Sequence, residues 1–378
     1  MPKLLSTVAC NLDADILSAC LPLLQESRVA AMEWSFDTLF NVADIPDWFL
    51  QLLHAFGKEK KLIGHGVFFS LFSGKWSKHQ EAWLEHLKRT SANFGFDHVT
   101  EHFGFMTGKD FHHGAPLNIP YTQTTLQIGR DRLQRISEAA SCPVGLENLA
   151  FSYSLDEVKK HGEFLERLIE PVNGFIILDL HNLYCQMHNF SIRYDDIISL
   201  YPLDKVREIH ISGGSWEKAA SDAERIIRRD THDNSVPQEV FELLAITVNK
   251  CPQLKYVVME QLGNGLKTKT SRKLFYKDFL QMEKIVQQKN KKRAVQPESS
   301  FLPIHPLSPN NIIESEDLHA QQMELSAILE NAGGFDAAIQ LLQKSSLAHS
   351  DWEIEKWQPY MIETAMKIAQ KWKKPSIQ

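Results

Sequence analysis

Histidine, aspartate and glutamate recur in this chain at the ends of short apolar runs, and such donors gathered in one place hold metal ions. They are His65 in LIGHGVFFS, His102 in HVTEHFGF, Glu147 in PVGLENLAF, and Asp179 with Asn182 in FIILDLHNLY. The series continues with His210 in VREIHISGG, Asp230 and His232 in DTHD, and Glu260 in YVVMEQLGN. Imidazole together with carboxylate suits zinc, iron or manganese, and no cysteine stands among these donors as a soft ligand. A single ion uses only a handful of donors, so nine candidates imply two or three ions bridged by a carboxylate. Glu147, midway along the series, is the expected bridge.

Spacing refines the set. Asp230 and His232 are two apart, so an extended loop puts both on one side of the backbone. Asp179 and Asn182 are three apart, which fits a strand end turning into a loop. His210 precedes ISGG, whose glycines let the backbone come close to a site. One strand-end histidine alone is more often a hydrogen-bonded core residue than a ligand. Glu147 and Asp179 weigh against that reading, because each ends an apolar strand and a buried carboxylate without a cation is costly. Asn182 is the weakest ligand of the set, since amides coordinate poorly, and His181 reads as structural. His112 and His113 lie in the loop GKDFHHGAPLNIPYT, as caps of the mouth or as solvated residues.

The elements that position these donors alternate. Apolar, β-branched or aromatic runs predict strands at Leu4–Asn11, Ala31–Phe36, Leu62–Ser70, Asp97–Phe105, Val144–Ala150, Phe175–Asn182, Val206–Gly213 and Tyr256–Gly263. Amphipathic stretches between them predict helices at Asp13–Gln25, Ile45–Phe56, Trp76–Phe94, Thr122–Ala140, Leu155–Glu170, Asp195–Tyr201, Val236–Lys250 and Ser271–Gln288. Repeated βα units of this kind imply an α/β fold, a (β/α)₈ TIM barrel, whose active site gathers at the C-terminal ends of the strands. A barrel of this type takes about 250 residues, and the chain has 378. The expected organisation is a metal-binding catalytic barrel over 1–288, a Lys/Pro/Ser-rich linker or strap over 289–312, and a small C-terminal α-helical extension over 313–378. Within the extension, Leu318, Leu325, Ile328 and Leu329 share one helical face, and Gly333-Gly334 stops that helix.

Composition excludes several classes. A net charge of −6 and a pI of about 6.2 give no overall attraction to nucleic acid or anionic membrane. Five scattered cysteines, without a CxxC pair, argue against a disulfide framework and against a thiolate zinc knuckle. The apolar start is too short for a secretory signal, and no run reaches the roughly 20 apolar residues of a membrane span. These features predict a reduced, soluble, cytoplasmic protein.

The chain resembles the multinuclear non-heme iron-dependent oxidases, a (β/α)₈ family allied to xylose isomerase-like barrels. HGVFFSL, TEHFGF, PLNIPYT, GLENLAF, LDLHNLY, REIHISGG, DTHDNSVPQEVFELL and VVMEQ carry the resemblance, in order from Leu62 to Gly263. The run after His210 departs from it: Gly214-Ser215-Trp216 stand where the family often has a further histidine. The resemblance implies His65, His102 and Glu147 on one iron, and Glu147, Asp179, His210 and Glu260 on a second. Asn182, Asp230 and His232 would hold a third, more labile metal. Glu147, Asp179 and His210 would then carry catalysis. The implied activity is dioxygen-dependent oxidation of a residue in a ribosomally made precursor peptide, usually cysteine, in some members a C-terminal acidic or amide residue. A recognition partner protein often assists in that family. Asn148 is expected to orient the bridging carboxylate, and Trp216 with loop 107–121 to shield the site.

Three other readings stand beside this one. A three-zinc phosphodiester hydrolase resembling apurinic endonucleases needs a similar ligand series, but a histidine suits it better at position 182, as does a basic face. A manganese or magnesium sugar isomerase would rely more on acids and lysine. A non-catalytic barrel presenting its helical tail to a partner should have lost ligands, and no principal one is missing. The tail is also a candidate for recruiting the precursor peptide or a second protein.

Overall fold

Eight parallel strands close into a ring. They are β1 (Leu5–Ala9), β2 (Ala31–Trp34), β3 (Leu62–Gly66), β4 (His98–His102), β5 (Val144–Glu147), β6 (Phe175–Asp179), β7 (Val206–Ile211) and β8 (Tyr256–Met259). Each pairs with its neighbours in sequence, and β8 closes onto β1 through Leu5 opposite Tyr256. This computed structural model describes residues 3–40, 42, 44–107, 116–222, 224–292, 301–303 and 311–372. His112 and His113 lie outside the described residues.

Around the ring run α1 (Ala14–Gln25), α2 (Asp47–Lys58), α3 (Lys78–Phe94), α4 (Gln123–Ala140), α5 (Leu155–Ile169), α6 (Leu180–Phe190), α7 (Gln238–Thr247) and α8 (Lys269–Lys292). Their starts follow capping chemistry. Ser77 and Thr122 form reciprocal capping boxes with Gln80 and Thr125, and Asp13 and Ser154 cap their helices with one side chain.

Two expectations need correction. The strand runs expected to reach Ser70, Phe105, Asn182 and Gly213 stop pairing at Gly66, His102, Asp179 and Ile211. The apolar residues beyond them, Phe69, Phe72 and Phe103 among them, are buried under rim loops and helices rather than in the ladder. The second concerns Asp179 and Asn182, expected at a strand end turning into a loop. Asp179 instead caps α6, a helix the sequence reading missed, and Asn182 lies in its first turn. Only one turn, Tyr194–Ile198, forms in the region expected to be the helix there.

The barrel interior carries charge where aliphatic layers are usual. Asp97 holds Arg207 at 2.8 Å and Lys255 at 2.5 Å on the floor, and contacts His98 Nδ1 at 3.0 Å. His98 Nε2 meets Glu208 at 2.6 Å, and the other oxygen of Glu208 lies 3.1 Å from His210 Nε2. Phe301 closes the floor against Phe175 and Ile177.

Beyond the barrel come α9 (Glu316–Asn331), α10 (Phe335–Lys344) and α11 (Pro359–Trp372). These helices fasten to several rim loops. Gln322 bonds both Gly74 N, at 2.9 Å, and Phe72 O, at 2.7 Å. A Cβ at Gly74 would come within 2.5 Å of His319 N, so the close approach requires glycine there. Trp357 stacks on Tyr153 with centroids 3.7 Å apart, and Glu363 accepts from the backbone of Ala220 and Ser221. Among the described residues no helix is long and apolar enough to cross a membrane.

Candidate metal centre

The C-terminal ends of β3 to β8 bring the expected donors to one rim. At the ends of β3 and β4, hydrogen bonds fix how two imidazoles point. His102 Nδ1 faces Gly66 O at 3.1 Å, and a carbonyl only accepts, so Nδ1 carries the hydrogen. His65 Nδ1 faces Thr100 Oγ1 at 2.8 Å, while that hydroxyl is directed at Gly64 O. Both Nε2 lone pairs therefore face Glu147 Oε2, at 3.4 Å from His65 and 3.5 Å from His102. Burial holds His65 well below the usual imidazole range and His102 down at about 4, so both rings are neutral near pH 7.

Glu147 is 3% exposed, and burial pushes its carboxyl well above the usual range. Across from it, His210 is oriented by the interior charge column. Its Nε2 faces Glu208 and also Glu33 Oε2, 3.2 Å away, which turns Nδ1 toward Glu260 Oε2 at 3.4 Å and Glu147 Oε1 at 3.9 Å. A carboxylate behind a ligating histidine is the usual support for a metal-bound imidazole. Burial alone would depress His210, but Glu33 and Glu260 outweigh it and hold the ring protonated in the absence of a cation.

Asp179 Oδ1 accepts from Asn182 N at 2.6 Å, and burial, then the charge of Asp230, raises its carboxyl to about 7. Asn182 Nδ2 donates to Asn148 O at 2.7 Å, which aims Oδ1 the other way. Asn148 clamps the Asp179 backbone on both sides, accepting from N at 2.7 Å and donating to O at 3.2 Å. Its direct grip is thus on Asp179 rather than on Glu147, the carboxylate it was expected to orient.

Asp230 and His232 follow a short antiparallel ribbon, Ser215–Lys218 with Ile226–Arg229. The extended loop expected around them is absent: His232 has φ +53°, a left-handed conformation uncommon outside glycine. Its Nε2 lies 3.0 Å from Asp230 Oδ2 and its Nδ1 3.6 Å from Glu260 Oε2. Burial would lower His232, but Asp230 and Glu260 lift it to about 10.

Among the described residues four donor triads result, each with ligand atoms within 4.8 Å of one another: His65–His102–Glu147, Glu147–Asp179–His210, Asp179–His232–Glu260 and Glu33–His210–Glu260. Glu147, Asp179, His210 and Glu260 each belong to two of them. Asp230 belongs to none of these triads; its oxygens contact His181 and His232. The sequence reading missed Glu33, Glu208 and His98. Glu33 in AMEWSF also ends an apolar strand and could have been found by the same rule.

A cation fits this arrangement. Glu147 Oε2, Asp179 Oδ2, Asn182 Oδ1 and His210 Nδ1 are buried without a hydrogen-bond partner. Donors around one cation at about 2.1 Å sit about 3 to 3.5 Å apart, the spacing between Glu147 and its two imidazoles. Residues 26–264 match the RiPP precursor modification enzyme MbnB/TglH/ChrH family. The chain belongs to that family.

Other likenesses agree with the MbnB/TglH/ChrH assignment. UPF0276 protein RB0508 of Rhizobium meliloti (strain 1021) is 26% identical over 162 residues, covering 42% of this chain and 52% of that protein. A UPF0276 protein of Shewanella loihica is 24% identical over 214 residues, covering 55% of this chain and 73% of its own length. The chain spans about half the length of the first curated relatives it matches. In fold, the chain is similar to an L-ribulose 3-epimerase structure, with TM-score 0.50 and 12% identity over 76% of this chain and 96% of that one. The MbnB/TglH/ChrH match stops before α8, so the three terminal helices lie outside it.

Proposed function

We propose that this protein is an iron-dependent oxidase that uses dioxygen to modify a residue, cysteine first and a C-terminal acidic or amide residue second, of a ribosomally synthesised precursor peptide. One observation carries the metal reading, and the sharing of Glu147 between two donor triads makes it multinuclear. The Nε2 lone pairs of two neutral imidazoles, His65 and His102, face the same oxygen of the buried Glu147 carboxyl, at 3.4 and 3.5 Å. Without a cation, burial pushes that carboxyl toward its protonated form, and a metal ion would take the place of the proton.

In this reading His65, His102 and Glu147 hold one iron. Glu147, Asp179, His210 and Glu260 hold a second, and Asn182, Asp230 and His232 hold a third. Bound iron would supply a Lewis-acidic anchor for a thiolate or carboxylate and the electrons that reduce dioxygen. The chain itself positions and shields. Glu208 and Asn148 fix His210 and Asp179, while the closed floor keeps water from the inner side. His102, Asp230 and His232 have side chains 27%, 23% and 22% exposed, so a peptide residue reaches the site past them. A recognition partner or the terminal helices would hold the rest of the peptide.

Elemental analysis of protein purified without oxygen, with Mössbauer spectroscopy on iron-57 material, tests this. Two or three coupled irons per chain, with a dioxygen-dependent mass change in a cysteine-containing precursor, support the reading. Zinc alone, from cells given ample iron, overturns it in favour of hydrolysis.

A further inference from the structure

Behind Asp230 stands a second chain of side chains that none of the metal triads uses. His181 is fully buried, and its Nδ1 lies 2.9 Å from Asp230 Oδ1. On the opposite edge of the ring, Arg228 Nε and one terminal nitrogen approach His181 Nε2 at 3.1 and 2.9 Å. A guanidinium has only donors, so Nε2 accepts and the ring hydrogen sits on Nδ1, where it is offered to Asp230. Both partners select the same tautomer, Arg228 by donating to Nε2 and Asp230 by accepting from Nδ1.

Arg228 is itself held with little freedom. It is 4% exposed, and its backbone is clamped by Asn189, which accepts from N at 2.9 Å and donates to O at 3.0 Å. Its guanidinium lies 4.9 Å from the ring centroid of Trp216, the residue directly opposite on the ribbon, and 5.6 Å from that of Tyr184. Trp216 is 49% exposed. At Gly214 a Cβ would sit 2.8 Å from His181 Cε1, so the ribbon reaches the imidazole only because that position is glycine.

We infer that Arg228 and His181 are positioning residues for the most labile metal, and that they tie its ligand Asp230 to the exposed ribbon carrying Trp216. The inference rests on the three-metal reading above. An uncharged, unoriented imidazole could present either nitrogen to Asp230, and a lone pair there would repel the carboxylate. With Arg228 in place His181 offers its hydrogen to Asp230 Oδ1, while His232 Nε2 lies 2.9 and 3.0 Å from the two oxygens, so a metal that takes Asp230 displaces the His232 contact and leaves the His181 one in place. Losing a support of this kind weakens metal binding by about 10–100-fold.

The test is an anaerobic titration of the metal-stripped full chain with Fe(II), counting sites and affinities in wild type, Arg228→Met, Arg228→Lys, His181→Leu and His181→Gln. Glutamine can still accept from Arg228 and donate to Asp230, whereas leucine can do neither. The expected result is three sites in wild type, with the weakest alone weakened about 10–100-fold by R228M and H181L and largely restored by H181Q. Three sites of unchanged affinity in R228M and H181L overturn the inference and leave the metal reading standing. A wild type that binds at most two irons overturns the three-metal reading and this inference with it. R228K, which keeps a donor to Nε2, should stay closer to wild type than R228M. Should R228M and H181L bind no metal at all, His181→Phe, which keeps a ring and removes both nitrogens, decides: a loss confined to the weakest site supports the relay, and unchanged affinity refutes it.

Discussion

Asp179 divides its two oxygens between two tasks: Oδ1 caps helix α6 at Asn182 N, 2.6 Å away, while Oδ2 is buried with no hydrogen-bond partner. Helix start and candidate metal ligand are the same carboxylate. The two roles are separable by substitution. Asp179→Ser keeps a capping oxygen and removes the second donor; Asp179→Ala removes both. Thermal unfolding of the metal-free proteins should show the alanine variant less stable than the serine variant by about 1 kcal/mol. Metal analysis should show both equally depleted. A serine variant that retains full metal would take Asp179 out of the ligand set.

Glu147 belongs to two triads, and its replacement should therefore cost more than one ion. In Glu147→Gln, iron per chain should fall by more than one relative to wild type purified under the same anaerobic conditions. Loss of a single ion, with the others kept, would show that Glu147 is not a bridge. The metal-free variant should unfold at a higher temperature than metal-free wild type, because an amide relieves a buried carboxylate that has no cation.

Glu208 touches no proposed metal but sets His210. Glu208→Leu should weaken the site containing His210 by about 10–100-fold in Fe(II) titrations, since the ring can then turn either nitrogen inward. Glu208→Gln, which can still accept from Nε2, should lie between the two. Equal affinity in all three would mean that Glu33 and packing fix the ring without Glu208.

The terminal helices carry a pH-sensitive tether at Glu363. Burial would raise this carboxyl, but Lys367 and the backbone amides of Ala220 and Ser221 outweigh it and bring it to about 2. An unfolded glutamate titrates at about 4.3. Because the folded value is the lower one, the tether contributes fully above about pH 4.3 and is lost as pH falls toward 2. Limited proteolysis with an acid-active protease should show the terminal helices released more readily across that window in wild type. Glu363→Gln should already be protease-sensitive at pH 5 and change little on further acidification.

The gathering of the strand-end donors at one rim was legible because most of them end a run that is otherwise apolar, and that contrast survives without any structure. Ring closure is what made Glu33, His98 and Glu208 meaningful: they come from β2, β4 and β7, which are not adjacent in sequence, and they meet only across the interior. Helix α6 escaped notice for a related reason. His181, Asn182, Gln186 and Asn189 are all buried polar residues, so the apolar stripe that marks a surface helix is broken by side chains that bond to loops. The positive φ of His232 has no signature in DTHD, since no glycine announces it.

Most barrels of this kind fill their centre with aliphatic layers, which insulate one face from the other. Here salt bridges and hydrogen bonds run from Lys255 and Arg207 through Asp97, His98 and Glu208 to His210. The underside of the molecule is therefore wired to its mouth. A substitution at Lys255, remote from every proposed ligand and innocuous by any surface criterion, removes one of the countercharges on which the far end of that column depends. Neutral drift on the floor of this barrel reaches the histidine at its rim.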